Sequence, residues 1–270
     1  MKWLLGACIA LALAAGLGFW TYGRLIQYEP GDTVTIDFAA SPDQAHSEAD
    51  LLIGRGDFYV QQCCAHSFAH PMVNGAKAAL FTVGVDDPHV KGNFRSEARL
   101  LSNRLGRPAT YSLVSATARS WPRSDQRVIV AQWHGADDFF LLEPGRYPPL
   151  ELAIEGDRWV ILKAWDTRLR STADTPGSTE GRELIGSAPF SPGSDVGWRF
   201  DVLWSTGADG YVRAYKDGRL VAQDRGPNAF RDYVGPYMKF GAYVPEWKKE
   251  PDRAIGRRQV LVRSASMAQR

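Results

Sequence analysis

The stretch VIVAQWHG, residues 128–135, begins as a buried β-strand and ends with two polar side chains. Successive side chains of a strand point to opposite faces, so residues two apart share a face. Gln132 and His134 are therefore expected side by side on one face, with Ala131 and Trp133 on the other. An amide beside an imidazole predicts a surface that binds a ligand or transfers a proton to it.

Short strand-like segments follow one another along most of the chain. They are TVTIDFA, DFYVQQC, KAALFTVGV, TYSLVSATA, RVIVAQWHG, LELAIEG, RWVILKAW, WRFDVLW, GYVRAYKDGRLVAQ, MKFGAYV and RQVLVRSA. Asp–Gly pairs at 209–210 and 217–218 predict hairpin turns, and EGDR at 155–158 predicts another. Many short antiparallel strands with Gly- and Pro-rich turns predict an all-β sandwich or jelly roll.

The length of 270 residues fits one large β domain. We assign residues 45–270 to that domain and residues 27–44 to a short connector. EARLLSNRL, at 97–105, is a weak helix candidate. The polar segment 170–184 predicts a loop beside the site.

The N-terminal segment, residues 3–20, is uncharged and mostly apolar. As a helix it would cover about 27 Å, close to the thickness of the hydrocarbon layer of a bilayer. Residues 1–26 therefore predict a signal peptide or an uncleaved signal anchor, that is, a hydrophobic helix ahead of the sandwich. We expect the rest to be exported, periplasmic or at the cell surface if anchored by residues 3–20, and secreted if the signal is cleaved.

The charge distribution bears on binding partners, and the cysteine positions bear on disulfide formation. The 32 basic and 30 acidic residues are spread along the chain and give a net charge of +2, which argues against nucleic acid. Cys63 and Cys64 are adjacent, and a disulfide between neighbours closes a strained ring. We therefore expect two thiols there. We also expect a monomer.

Two further strands repeat the pattern of a polar face opposite a core face. They are FRSEARL at 94–100 and PYMKFGAYV at 236–244. Together with the first strand, they are expected to present Arg95, Glu97, Arg99, Gln132, His134, Tyr237, Lys239 and Tyr243. Gly241 belongs to the same face, where we expect it to let a ligand approach the backbone.

This set of side chains suits β-elimination on a uronic acid. Arginine and an amide can donate to the sugar carboxylate, which acidifies the C5 proton. A histidine can take that proton near pH 7, and a phenol can protonate the departing glycosidic oxygen.

The motifs RSEAR, QWH and YMKFGAY resemble, in this order, three strand motifs of jelly-roll alginate lyases. Those motifs are Arg-(Thr/Ser)-Glu-Leu-Arg, Gln-(Ile/Val)-His and Tyr-x-Lys-x-Gly-x-Tyr. The flanking PPLELAIEGDRWVI and VLWSTGADGYVRAYKDGRLV are more similar to heparin-lyase-I-like and glucuronan-lyase-like proteins. The resemblance covers about residues 45–264. It implies a concanavalin A-like jelly roll with a concave substrate-binding sheet, and polysaccharide lyase activity on an acidic, uronate-containing polymer.

The resemblance also implies roles for the polar face. Arg95 and Gln132 would neutralise the uronate carboxylate, and His134 would share that task or take the C5 proton. Tyr243 would be the acid and could also be the base. The remaining residues would line subsites or hold the arginines in place: Lys239, Tyr237, Arg99 and Glu97.

Three departures from the alginate lyase motifs concern neighbouring residues. Ala98 and Trp133, both predicted on the core side, replace a leucine and a β-branched residue. Val244-Pro245 follows Tyr243, where alginate lyases have Asn-Gln. This last change weakens the assignment to alginate in particular.

Other functions remain open at this point. A jelly roll with the same cleft could bind acidic carbohydrate without cleaving it, although the presence of both His134 and Tyr243 favours the lyase. A glycoside hydrolase needs two carboxyl groups about 5–10 Å apart. Glu151 and Glu155 are separated only by apolar residues, which disfavours that reaction.

Metal binding is a further alternative. The segment HSFAH offers His66 and His70, but no cysteine or carboxylate lies at a supporting spacing. We therefore expect no required cofactor or catalytic metal, while structural calcium is compatible with the resemblance. Gln61, Gln62 and His66 could instead line the edge of the cleft.

Overall fold

The computed structural model describes residues 23, 26–136, 142–143, 145–171 and 179–270. Among them it has one short α-helix, α1 (Glu48–Leu52), two 3₁₀ segments (Ala65–Ser67 and Pro245–Lys248), and eighteen β-strands. The strands are β1 (Thr33–Asp37), β2 (Gln44–Ala45), β3 (Phe58–Gln61), β4 (Phe68–Ala69), β5 (Met72–Val73), β6 (Ala76–Lys77), β7 (Ala79–Gly84), β8 (Arg95–Ser102), β9 (Pro108–Thr117), β10 (Val128–His134), β11 (Leu150–Glu155), β12 (Arg158–Trp165), β13 (Gly181–Pro189), β14 (Val196–Leu203), β15 (Tyr211–Lys216), β16 (Arg219–Arg225), β17 (Tyr237–Tyr243) and β18 (Arg257–Gln269).

Two large sheets contain most of these strands. The front sheet has the order β13-β12-β11-β10-β17-β8-β3-β2, and the back sheet has the order β16-β15-β14-β9-β18-β7-β4, with β1 beside β18. Strands β5 and β6 form a separate hairpin. The neighbours within each sheet are antiparallel, except that β2 runs parallel to β3. The predicted all-β jelly-roll sandwich is confirmed.

The core lies between the two sheets and is rich in aromatic side chains. Trp133 of the front sheet packs edge-to-face on Tyr111 and Phe200 of the back sheet, at centroid distances of 5.1 and 4.8 Å. Trp159 and Trp198 meet in the same way at 5.4 Å. Aromatic side chains bury about 150–250 Å² each and dominate core energetics. These side chains occupy the inner face of the front sheet, and the polar residues lie on its outer face.

The predicted hairpin turns are confirmed in two cases. Asp217 and Gly218 both have positive φ angles, 50° and 78°, and join β15 to β16. Gly156, with a φ of 60°, turns the chain between β11 and β12. The Asp–Gly pair at 209–210 lies in the longer loop before β15.

Several segments differ from the predictions. Most of the helix candidate at 97–105 belongs to strand β8, and residues 181–184 of the expected loop begin strand β13. Residues 172–178 of that loop lie outside the described residues. The predicted connector, 27–44, contributes β1 to the back sheet and Ile36 and Phe38 to the core. The sandwich therefore begins before residue 45.

The apolar segment 3–20 also lies outside the described residues. In the part of the chain that the structure describes, no helix is long and apolar enough to cross a membrane. The signal peptide or anchor stays a prediction.

Cys63 and Cys64 form a disulfide, so the expectation of two thiols was wrong. Neighbouring side chains of an extended strand point to opposite faces and could not meet. Strand β3 ends at Gln61, however, and the two cysteines lie in the bend before the 3₁₀ segment 65–67. The bend lets their side chains turn toward each other.

Candidate active site

The three motif strands are neighbours at the centre of the front sheet, with β17 between β10 and β8. Lys239 lies opposite Gln132 on one side and Arg99 on the other. Tyr243 lies opposite Arg95. Apolar intervening residues of the three strands, such as Ala98, Trp133 and Phe240, are in the core. The predicted polar face is therefore confirmed, and the structure brings its residues together on one surface.

Glu97 is the centre of the hydrogen-bond network on this face. Its side chain is buried, and it accepts a hydrogen bond of 2.5 Å from the Nε2 of Gln132. Arg95 contacts the same carboxylate at 3.4 Å and Lys239 at 3.7 Å. Lys239 also donates to the Oε1 of Gln61 at 2.9 Å. A buried carboxylate is tolerated because opposite charges and donors surround it, and here it orients three of the predicted site residues.

Tyr243 lies against Arg95. The guanidinium carbon of Arg95 is 4.3 Å from the centroid of the Tyr243 ring. The Nε of Arg95 is buried and has no hydrogen-bond partner among the described residues. Burial raises the pKa of Tyr243 to about 12, and the guanidinium of Arg95 opposes that rise only in part. The phenol therefore keeps its proton at neutral pH and can act as a proton donor.

His134 presents a neutral imidazole. Its Nδ1 is 2.7 Å from the carbonyl oxygen of Gly135. Because a carbonyl can only accept, Nδ1 carries the proton and Nε2 carries the lone pair. Burial, together with the positive charges of Lys239 and Arg95, lowers the pKa of His134 to about 3, although the hydrogen bond to Gly135 opposes the shift. The side chain is thus neutral at pH 7, and the lone pair of Nε2 is the one that can accept a proton.

Tyr237 joins the subsite residues to His134. The two rings stack at a centroid distance of 5.6 Å, and the guanidinium carbon of Arg99 is 4.1 Å from the Tyr237 centroid. Arg99 also forms an ion pair with Glu48 of α1. This places the four predicted substrate-binding residues on the same face as the four predicted catalytic ones.

Among the basic side chains of the polar face, Lys239 has a strongly lowered pKa. Burial lowers the pKa of Lys239 to about 7, and the guanidinium groups of Arg95 and Arg99 act in the same direction. The carboxylate of Glu97 opposes the shift. Arg95 and a charged Lys239 both face the single carboxylate of Glu97, and this excess of positive charge suits an anionic ligand.

A family model described as polysaccharide lyase matches residues 65–260. The chain belongs to the polysaccharide lyase family. The lyase is similar to the endo-beta-1,4-glucuronan lyase of the fungus Trichoderma reesei, at 17% identity over 74% of this chain and 86% of that chain, with a TM-score of 0.60. No curated protein matches it.

Alginate lyases also resemble the lyase. The enzyme of Corynebacterium sp. is 16% identical over 77% of this chain and 83% of that chain, with a TM-score of 0.51. A family 7 alginate lyase, A1-II′, was solved with one histidine changed to asparagine and one tyrosine to phenylalanine, in complex with a substrate. It is 13% identical over 76% of this chain and 82% of that chain, with a TM-score of 0.51. The predicted resemblance to glucuronan and alginate lyases is confirmed, and the enzyme is favoured over the non-catalytic alternative.

Gly241 is required by the fold of the lyase, and the expectation that it lets a ligand approach the backbone stays a prediction. Its φ angle is 143°, and a Cβ built there would lie 2.3 Å from the carbonyl oxygen of Ser96 and 2.9 Å from Phe81. These atoms belong to the neighbouring strand and to the core. Glycine is needed because only it combines this backbone conformation with such a close strand.

We expect Gly241→Ala to destabilise the lyase by about 3 kcal/mol, from backbone strain and overpacking together. Thermal unfolding would show a lower Tm. Gly197→Ala is the matched control, because a Cβ at this position of β14 would meet nothing closer than an Asp217 oxygen at 3.8 Å. Equal Tm values for the two variants would contradict the assigned role.

A β-bulge in β10 was not predicted. The register shifts between Ile129 and Ala131, so the polar face continues with Ile129 rather than Val130. Ile129 then lies opposite Tyr243 and packs with Ala153 and Val160. An apolar strip therefore adjoins Tyr243 on the polar face. The regular two-residue alternation of a strand, applied to the sequence, could not have located this apolar strip.

Other side chains of the site come from segments that the motifs do not cover. Gln61, which the sequence allowed at the edge of the cleft, contacts Lys239 directly. His66 contacts Asp87 instead. Behind His134, Asp232 lies within 3.0 Å of a Cβ built on Gly135. Asp232 pairs with Arg146 through two hydrogen bonds of 2.8 and 2.9 Å. These long-range pairings have no local sequence signal.

Glu151 lies opposite Gln132 on the same face but is held by arginines. It is 3.1 Å from the Nε of Arg127 and 3.7 Å from Arg182. Burial raises the pKa of Glu151, although the arginines oppose the shift. Glu155 is exposed at the strand end. The two carboxylates thus occupy different environments, one buried beside arginines and the other exposed.

The two histidines of HSFAH do not share a site. His70 packs against the rings of Phe38 and Phe68, whereas His66 points to Asp87. Calcium prefers an all-oxygen ligand set. Among the described residues, the group of side chains close enough to share an ion contains two cysteines and a histidine, which does not fit calcium.

Proposed function

We propose that the lyase cleaves a uronate-containing polysaccharide by β-elimination on the polar face of the front sheet, leaving an unsaturated uronate end. The observation that supports this most is the contact of Tyr243 with Arg95. It sets a protonated phenol against a guanidinium whose Nε has no partner among the described residues. Gln132 and a neutral His134 lie on the same face.

Neutralisation of the uronate carboxylate is the first task. Arg95 offers its guanidinium charge, and Lys239 adds positive charge nearby. Gln132, held by Glu97, can turn a further donor to the sugar. Together these donors stabilise the enediolate-like charge that develops when the C5 proton leaves. Loss of one such donor typically costs on the order of 10²–10³ in rate.

Proton transfer is the second task. The Nε2 of His134 carries the lone pair that can take the C5 proton, and the bound uronate would offset the positive charges that lower its pKa. Tyr243 protonates the glycosidic oxygen as the C4–O bond breaks. The configuration of the uronate at C5 decides whether Tyr243 also removes the proton. The tyrosine and histidine changed in the substrate complex of the alginate lyase are consistent with this pair of roles.

Glucuronan is the substrate we propose first. A glucuronan lyase is among the structures that this chain resembles, with a TM-score of 0.60. The segments around β11 and β15 also resemble that group, and Val244-Pro245 differs from alginate lyases. The modest net charge of +2 argues against heavily sulfated heparin.

A panel of polymers tests the proposal. The purified chain would be mixed with glucuronan, polymannuronate, polyguluronate, hyaluronan and heparin, with cellulose as a neutral control. We expect ultraviolet absorbance of an unsaturated product with at least one uronate polymer and none with cellulose. Retention on an acidic polysaccharide without product from any polymer would contradict the catalytic proposal and favour the binding alternative.

The pH profile provides a second test. Uronate binding needs a charged Lys239, and its pKa is lowered to about 7. We therefore expect kcat/KM to fall as the pH rises through about 7. The pKa of His134 is about 3, so no acid limb should occur near pH 6.5. Lys239→Arg should remove the alkaline limb, because a guanidinium stays charged throughout this range.

Measurement of kcat/KM, which reports the free enzyme, would cover about pH 4 to pH 9. The pKa of Tyr243, about 12, lies above this range and contributes no limb. An alkaline limb that is unchanged in Lys239→Arg would show that another group is responsible.

The export of the lyase is part of the proposal. Residues 3–20 would hold it outside the cytoplasmic membrane, where a polymer substrate is accessible. Sequencing the N-terminus of the membrane-bound and secreted fractions would test this. A mature protein that is free in the medium and begins after residue 26 would contradict the anchor.

A further inference from the structure

A second group of reactive side chains lies away from the lyase residues. Cys63, Cys64 and His66 are in the turn after β3, and Asp87 follows β7 of the back sheet. One ligand atom from each of the four lies within 4.8 Å of every other. The group therefore connects the edge of the front sheet to the back sheet.

The four donors lie close to one another. The Sγ of Cys64 is 3.6 Å from the Nε2 of His66. That nitrogen is 2.9 Å from the Oδ1 of Asp87. Zinc binds sulfur at about 2.3 Å and nitrogen or oxygen at about 2.0–2.2 Å, which separates neighbouring ligand atoms by about 3.3–3.8 Å. The Cys64–His66 distance already lies in that range, and reduction of the disulfide would free the two sulfurs to separate to it.

Neighbouring groups orient these donors. The backbone N–H of Gly84 donates to the Oδ2 of Asp87 at 2.7 Å, which leaves Oδ1 facing His66. The hydroxyl of the buried Ser67 is 2.9 Å from the Sγ of Cys63 and 3.5 Å from that of Cys64. Such a hydroxyl can donate to a thiolate. Supporting hydrogen bonds of this kind are characteristic of metal sites.

We propose that Cys63, Cys64, His66 and Asp87 form a redox-gated site for a thiophilic divalent cation such as Zn²⁺. Two sulfurs, one nitrogen and one oxygen are a donor set that suits zinc. In the disulfide form the two sulfurs are bonded to each other, so the site is closed. Reduction by a dithiol or a phosphine opens it.

The chemistry balances in two steps. The disulfide accepts two electrons and two protons and becomes two thiols. A dithiol reductant supplies both and becomes a disulfide, or a phosphine becomes its oxide while water supplies the oxygen and the two protons. The cation then displaces both thiol protons and binds two thiolates, the imidazole and the carboxylate. Metal affinity should consequently increase with pH.

Cobalt titration of the full chain, purified without a histidine tag, tests the proposal. After reduction with a phosphine and removal of the reductant under argon, Co²⁺ would be added and then displaced with Zn²⁺. We expect one Co²⁺ per chain, with thiolate-to-cobalt charge transfer and tetrahedral visible bands. The oxidised chain should show no thiolate band.

Variants make the result specific. His66→Ala should weaken binding at least about 10-fold, because loss even of a residue that only orients a ligand costs about 10–100-fold. His46→Ala is the matched control, since His46 is exposed and outside the group. The double variant Cys63→Ser/Cys64→Ser should abolish the thiolate band while it keeps Cys8.

Two outcomes would overturn the proposal. One is a reduced wild-type chain that binds no more Co²⁺ than the oxidised chain. The other is a thiolate band that persists in the double variant, which would locate the thiolate at Cys8. Circular dichroism of each variant checks the fold. The result does not depend on lyase activity, so it stands apart from the test of the catalytic proposal.

Discussion

Tyr243→Phe should lower kcat by about 10²–10⁴-fold, the contribution of a general acid. The variant keeps the ring against Arg95 but removes the hydroxyl that protonates the leaving oxygen. Substrate affinity should change little, because the carboxylate donors remain. Initial rates from ultraviolet absorbance and calorimetric titration of an oligomer substrate would separate the two effects.

Tyr215→Phe is the matched control for this variant. Tyr215 is on the back sheet, and the guanidinium carbon of Arg199 lies 4.0 Å from its ring centroid, an arrangement like that of Tyr243 and Arg95. The control should keep full activity. If Tyr243→Phe retained kcat within a few-fold of wild type, Tyr243 would not be the acid.

Glu97→Gln should be damaging to both stability and substrate binding. The change preserves the shape of the side chain but removes the buried negative charge near Arg95 and Lys239. Breaking a buried ion pair by removing one partner costs about 3–5 kcal/mol. The pKa of Lys239 should fall further, because Glu97 is the group that raises it. At pH 7 Lys239 would then be mostly neutral, and KM should rise.

Urea unfolding and steady-state kinetics at pH 6 and pH 8 measure the two effects of Glu97→Gln. Glu155→Gln is the control, since Glu155 is exposed at the end of β11 and should stay within about 0.5 kcal/mol of wild type. A Glu97→Gln chain with unchanged unfolding free energy and unchanged KM would show that Glu97 does not organise the site.

The polar face was predictable from the sequence because it depends on local geometry. In strands a period of two decides which side chains share a face, and apolar partners such as Trp133 and Phe240 mark the core side. The order of the three motifs then predicted which strands carry the site. That inference needed no knowledge of the loops.

Features that depend on distant parts of the chain were not predictable. The bulge at Ile129 shifts the register of β10 with no glycine or proline on that strand, and Gly241 of β17 lies opposite it only once the two strands are paired. The contact of Lys239 with Gln61 joins residues 178 positions apart. Strand β13 was missed because it lies at the edge of the sheet and exposes much of its surface, so its residues lack apolar alternation. The pKa of Lys239 likewise depends on burial and on arginines from another strand.

The most direct test of the catalytic account compares chain breaks with double bonds in the same reaction. Glucuronan, or whichever polymer the panel identifies, would be digested in ¹⁸O-labelled water. New reducing ends would be counted, unsaturated uronate measured by absorbance, and products weighed by mass spectrometry. We predict one double bond per broken linkage and no ¹⁸O in the products, with both double bonds and breaks lost in Tyr243→Phe. Chain breaks without double bonds and with incorporated ¹⁸O would mean hydrolysis and would contradict β-elimination on this face.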